Sequence, residues 1–96
     1  MNHLKEMCPT QISGVLVFLH RTLPEKDFVD MIVALLGITI SNAVLLRYSF
    51  LGENCYIYLI RNYSVDDFCE SIMGTFDIDR EIAESIKIAL QTITEY

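Results

Sequence analysis

No apolar run in the sequence approaches the roughly 20 residues that a helix needs to cross a bilayer. Stretches such as Val15 to Leu19 and Met31 to Leu36 have the length of core elements, so no membrane association is expected. A secretory leader is not expected either, because Met1 to Thr10 brings Lys5, Glu6 and Pro9 together within ten residues. Cysteine is scarce and odd in number. Cys8, Cys55 and Cys69 stand far apart, which argues against a disulfide framework and for a reducing compartment, cytoplasmic or nuclear. The four glycines, Gly14, Gly37, Gly52 and Gly74, are isolated, so no glycine-rich phosphate loop exists.

Catalytic residues are equally few. His3 lies in a loose N-terminal stretch, and His20 ends an apolar run where a hydrogen-bonded, partly buried histidine is the ordinary reading. Cys55 and Cys69 fall in apolar stripes and read as small core residues. No Cys-x-x-Cys or His-x-x-x-His pair supports a metal site built from His20, Cys55 and Cys69. Asp66-Asp67 and Asp77/Asp79 stand where helices or turns begin, which explains them as capping and turn carboxylates. Neither enzyme activity nor a cofactor or metal is expected.

Basic residues are short in one region. Up to residue 62 five acids balance five bases, whereas Tyr63 to Tyr96 carries eight acids against Arg80 and Lys87 and so holds the whole net charge of -6. Such a segment repels a phosphate backbone and suits a basic partner surface better.

What is present is a chain of 96 residues, 52% hydrophobic, with positive mean hydropathy. That is enough for one water-soluble domain with one core. Residues 1–12 read as a flexible lead-in and 13–96 as a single domain. Gly14 to His20 is short, apolar and rich in β-formers, as in a central strand. Thr22, Pro24 and Glu25 then form a helix start with a capping box, followed by Phe28, Met31, Ile32, Leu35 and Leu36 at helical spacing. Lys26, Asp27 and Asp30 face away from that stripe, and Gly37 is the stop. Ile38 to Ile40 and Ala43 to Phe50 are β-branched and aromatic, Leu51 to Asn54 has turn chemistry, and Cys55 to Ile60 again looks like a strand, giving a hairpin. Ser64 caps a second helix with Val65, Phe68, Cys69, Ile72 and Met73 on its apolar face and Gly74 at its end. Ser85 to Thr94 fits a helix or a strand.

Strand, helix, strand, strand, helix is the ferredoxin-like order if Ser85 to Thr94 supplies a fourth strand. The fold class expected is therefore α+β, βαββαβ, a four-stranded antiparallel sheet with two helices on one face. A βαββαα chain with a helical C-terminus is the alternative. With Val15 to Leu19, the Leu-Pro-x-x-Asp-Phe start at Leu23 to Phe28, Cys55 to Ile60 and Val65-Asp66-Asp67-Phe68, the chain resembles an RNA-recognition-motif (RRM) domain from Gly14 to Thr94. Within that superfamily it is similar to the divergent RRM-like domain of BRAP-type cytoplasmic ubiquitin ligases, which shares a segment like Gly74-Thr75-Phe76.

RNA binding on this fold requires aromatic rings on the two central strands and basic residues beside them. Tyr56 and Tyr58 supply rings, but Glu53 and Asn54 replace the basic and aromatic entry, and Leu16 stands where a ring is usual. The expectation is thus a non-catalytic protein- or peptide-binding module, suited to be the interaction domain of a larger ubiquitin-ligase-type protein. Its candidate surface is a sheet face combining Tyr48, Tyr56 and Tyr58 with Arg47 and Arg61, since tyrosine and arginine are common interface anchors. Single-stranded RNA binding is one alternative. A homodimer formed by strand pairing is another.

Overall fold

The apolar run after Gly14 is helical. In the computed structural model, which describes residues 7–53 and 55–94, six helices follow one another: α1 (Pro9–Thr22), α2 (Glu25–Leu36), α3 (Ile40–Phe50), α4 (Tyr56–Leu59), α5 (Val65–Phe76) and α6 (Arg80–Thr94). No strand occurs among the described residues. This overturns the α+β class in both its forms, and with it the RRM-like and ferredoxin-like resemblance.

Each misread segment has a physical explanation. In α1, Pro9 takes the first helical position, where its missing N–H costs nothing, and Gln11 Oε1 accepts a hydrogen bond from the Cys8 N–H at 3.0 Å. Ile12, Leu16 and Leu19 are buried at i, i+4 and i+7. Val15, Val17 and Phe18 fill the gaps between them, so the period disappears into a continuous apolar run. Pro9 to Ile12, expected as part of the lead-in, belongs to this helix, while residues 1–6 lie outside the described residues.

α3 hides its period in the same way. Ala43, Leu46, Ser49 and Phe50 are buried, yet Ile40 and Tyr48 on its outer side are also apolar and exposed. Thr39 caps it, its hydroxyl accepting from the Asn42 N–H at 3.1 Å. The Cys55 to Ile60 segment is the short helix α4, held by buried Ile57. α6 takes the helical option for Ser85 to Thr94. Ile82, Ile86, Ala89 and Leu90 are its buried set, and Ala83, Ser85 and Lys87 are buried too. An element buried over so wide an arc has neighbours on several sides.

Both helices expected from the sequence are present. α2 ends where Gly37 turns left-handed at φ 68°, its N–H donating to Val33 O at 3.0 Å. Its N-cap is Pro24 rather than Thr22, whose hydroxyl donates to Phe18 O and closes α1. The Ser64 cap on α5 forms as expected, accepting from the Asp67 N–H at 3.2 Å. The helix runs through Gly74 to Phe76, a core residue, and Asp77 at φ 56° ends it.

The most extensive packing joins α1 to α6. α2 packs on α3, α5 on α6, α4 on α3, and α3 also touches α6. No single described helix is long and apolar enough to cross a membrane. Only α2 and α3 together, bent by 117° at the break between them, reach that length and apolar composition. The principal extents are 28 × 26 × 23 Å. Buried serines bond their own helices: Ser13 to Thr10 O, Ser49 to Leu45 O and Ser85 to Glu81 O.

Phe28 is fully buried, whereas Phe18 is 63% exposed. Urea unfolding should show Phe28→Ala losing about 3–5 kcal/mol and Phe18→Ala changing stability by about 0.5 kcal/mol or less.

Candidate functional site

The five residues expected to share a sheet face are divided by the helices. Tyr58 and Arg61 meet at the end of α4, where the guanidinium lies 4.0 Å from the tyrosine ring centroid and Nη1 donates to Tyr58 O at 2.9 Å. Tyr56 is on the same short helix and 47% exposed, and Tyr48 is an exposed residue near the end of α3. Arg47 points elsewhere. It reaches back to the end of α1, donating to Leu23 O at 3.1 Å and His20 O at 3.4 Å, with its guanidinium 4.9 Å from the Phe28 centroid. A cation on the last carbonyls of a helix is a C-terminal cap, so Arg47 serves the fold.

Packing fixes the α4 region from below and from one side. Ile57 and Ile60 are buried anchors. Gly52, at φ 80°, lets the turn pass under the Tyr58 ring, where an added Cβ would lie 3.9 Å from Cε1. The Glu53 N–H donates to Tyr48 O at 3.0 Å and closes the turn after α3. Beyond α4, the carbonyl of Arg61 accepts from Lys87 Nζ at 2.9 Å. Lys87 is almost wholly buried, its ammonium 5.5 Å from the Phe68 centroid. Burial pushes its pKa down from the usual lysine value, with the nearby Cys69 acting weakly the other way. This hydrogen bond pins the segment after α4 to α6.

Around these anchors the outward side chains include large apolar ones beside the polar Glu53, Asn62 and Ser64. Leu51, Tyr56, Leu59, Tyr63 and Val65 are exposed large residues, as is Tyr48. Leu59 (58% exposed) was missed by sequence reasoning because a strand reading of Cys55 to Ile60 assigns faces by alternate residues, and exposed Tyr63 lies beyond that segment.

A second feature lies between α1 and α2. Leu19, Leu23 and Met31 line an open apolar groove of about 410 Å³, with Asp27 and Asp30 beside them. Met31 was expected in the core, yet it is exposed and shares a face with both aspartates, at i+4 and i+1. A methionine on the acidic side of the helix was the available signal.

His20, the one histidine among the described residues, packs edge-on against Phe28 and Phe50, with centroids 6.1 and 5.5 Å away. Its Nδ1 is buried without a hydrogen-bond partner among the described residues. Burial, then the charges of Arg47 and Arg21, push its pKa below the ordinary 6.5. Ser49 Oγ and Cys55 Sγ lie 3.1 Å apart, and burial pushes the Cys69 thiol up. Among the described residues no group of three histidine, cysteine, aspartate or glutamate side chains is placed to hold a metal. On the acidic segment Arg80 bridges Asp66 and Glu84 at 2.6 and 2.8 Å, and both carboxylates favour its charged form.

Comparison with protein-family models, curated proteins and solved structures found no match.

His20 makes stability depend on pH. Its folded pKa lies below the unfolded value, so the unfolded chain binds more protons as pH falls through 6.5, and folding weakens on acidification. Comparing urea midpoints at about pH 7 and about pH 5, His20→Gln should lose less stability between the two than the parent chain.

Proposed function

We propose that the chain is a non-catalytic protein-binding domain that engages another protein or a peptide through the surface around α4. One observation carries this reading: among the described residues, six of the nine exposed large apolar ones, Tyr48, Leu51, Tyr56, Leu59, Tyr63 and Val65, fall in the span from the end of α3 to the start of α5. Concentrated exposed apolar surface on a soluble domain is characteristic of interaction sites. Tyrosine supplies much of that contact area at low entropic cost. The Tyr58–Arg61 stack and the hydrogen bond from Lys87 support this surface from beneath, so little order has to be gained on binding.

Protein fits this surface better than RNA. Base stacking was argued from rings on two central strands, and the described residues contain none. Arg47, Arg61 and Lys87 direct their donors at carbonyl groups and rings of the chain itself, and the acids of α5 and α6 repel phosphate. Strand-paired dimerisation loses its footing for the same reason, and the ubiquitin-ligase association goes with the resemblance that suggested it. A non-catalytic role is supported by the setting of His20, which faces phenylalanine rings rather than a nucleophile. The three widely spaced cysteines, free of disulfides, support a cytosolic or nuclear location.

Photo-crosslinking in living cells tests the reading. A benzoyl-phenylalanine placed at Tyr56 or Leu59 should give discrete protein adducts that resist ribonuclease, while the same group at exposed Thr75 gives none. Nuclease-sensitive adducts, or none at either position, would refute it.

A further inference from the structure

The groove between α1 and α2 contains none of the residues of the α4 surface. Its floor is Leu19, Leu23 and Met31, with no polar side chain besides Asp27 and Asp30. Its volume of about 410 Å³ suits one or two inserted apolar side chains rather than a whole helix face. Neither aspartate is engaged in a hydrogen bond or ion pair with a described residue. They stand one turn apart on α2, with Met31 next to Asp30, so an apolar floor and two carboxylates face the same opening.

Four cations on the other described elements are held elsewhere. Arg47 on α3 donates through Nη2 to Leu23 O and through Nη1 to His20 O, and its Nε is buried with no partner among the described residues. Arg61 and Lys87 are committed around α4, and Arg80 is held between Asp66 and Glu84. The net charge of -6 leaves the domain with a negative field that attracts cations before contact.

We infer that the α1–α2 groove is a second docking site, whose occupant is a short basic segment of another protein that inserts an apolar side chain between lysines or arginines. This rests on the reading of the chain as a protein-binding domain and adds to it a place and a partner chemistry. Apolar insertion supplies the contact, and the flanking cations meet Asp27 and Asp30.

The test uses the full isotope-labelled chain, titrated with a synthetic amphipathic peptide of leucine and lysine and with its leucine and glutamate counterpart, both at low salt. The leucine–lysine peptide should move the amide resonances of Leu19, Leu23, Asp27, Asp30 and Met31 saturably, and the glutamate version should not. The double variant Asp27→Asn with Asp30→Asn should weaken binding about tenfold, since each exposed ion pair contributes modestly. Glu70→Gln, which removes one charge on the exposed side of α5, should leave affinity unchanged. Equal binding of the two peptides, or unchanged affinity in the double variant, would overturn the assignment. So would movement of the same resonances with protein concentration alone, which marks a second copy as occupant. Shifts centred on Tyr48 to Val65 would also overturn the groove while leaving the α4 surface as the binding site, and loss of the crosslinks at Tyr56 and Leu59 is the separate result that removes the latter.

Discussion

Everything in this bundle depends on the contact between its first and last helices. α1 and α6 share the largest interface in the fold, and α6 also touches α5 and α3. Ile12, Leu16 and Leu19 on one side, and Ile82, Ile86, Ala89 and Leu90 on the other, belong to a single buried cluster. Residues so far apart in sequence meet only after the intervening loops close, an entropic cost that local helix formation does not offset by itself. α2 with α3, and α5 with α6, are neighbours along the chain and pack locally. The α1–α6 pairing is the long-range step that turns two helical hairpins into one core.

How the cations are used explains why the outside is so acidic. Arg47 caps α1, Arg61 stacks on Tyr58, and Lys87 reaches the carbonyl of Arg61 from within α6. Each draws its stem or ring contact from the interior and its hydrogen bond from a carbonyl, an arrangement in which a long cationic side chain works as packing material. Carboxylates have no such interior use here. Asp66 and Glu84 meet Arg80 at the surface, and Asp27 and Asp30 form no ion pair with a described residue. The asymmetry of the surface thus follows from the construction of the core.

Sequence reasoning found α2 and α5 because their apolar and charged residues separate cleanly, with Gly37 and Ser64 as punctuation. It failed on α1 and α3, where apolar residues occupy exposed as well as buried positions. Phe18, Ile40 and Tyr48 fill in the period that Ile12, Leu16, Ala43 and Leu46 would otherwise show. β-Branched residues then tip a local reading towards strand, although tertiary packing overrides that preference. Once α4 was read as a strand, the exposed face was assigned by twos instead of by three to four. That kept Tyr56 and Tyr58 together while placing exposed Leu59 on the opposite face. The α1–α2 groove was illegible for another reason: it is formed between two elements, and only the misplaced Met31 betrayed it.

Cys69 offers a way to watch the bundle open. Its thiol is fully buried on α5, the helix that packs on α6, while Cys8 at the start of α1 is exposed. A thiol-reactive reagent therefore meets Cys8 at once and Cys69 only in states where α5 has lifted from its neighbours. Beside the fast modification of Cys8 and that of half-buried Cys55, the slow modification of Cys69 gives a built-in clock for local unfolding. It reads the cohesion of the C-terminal helices in the native protein without denaturant or added probes.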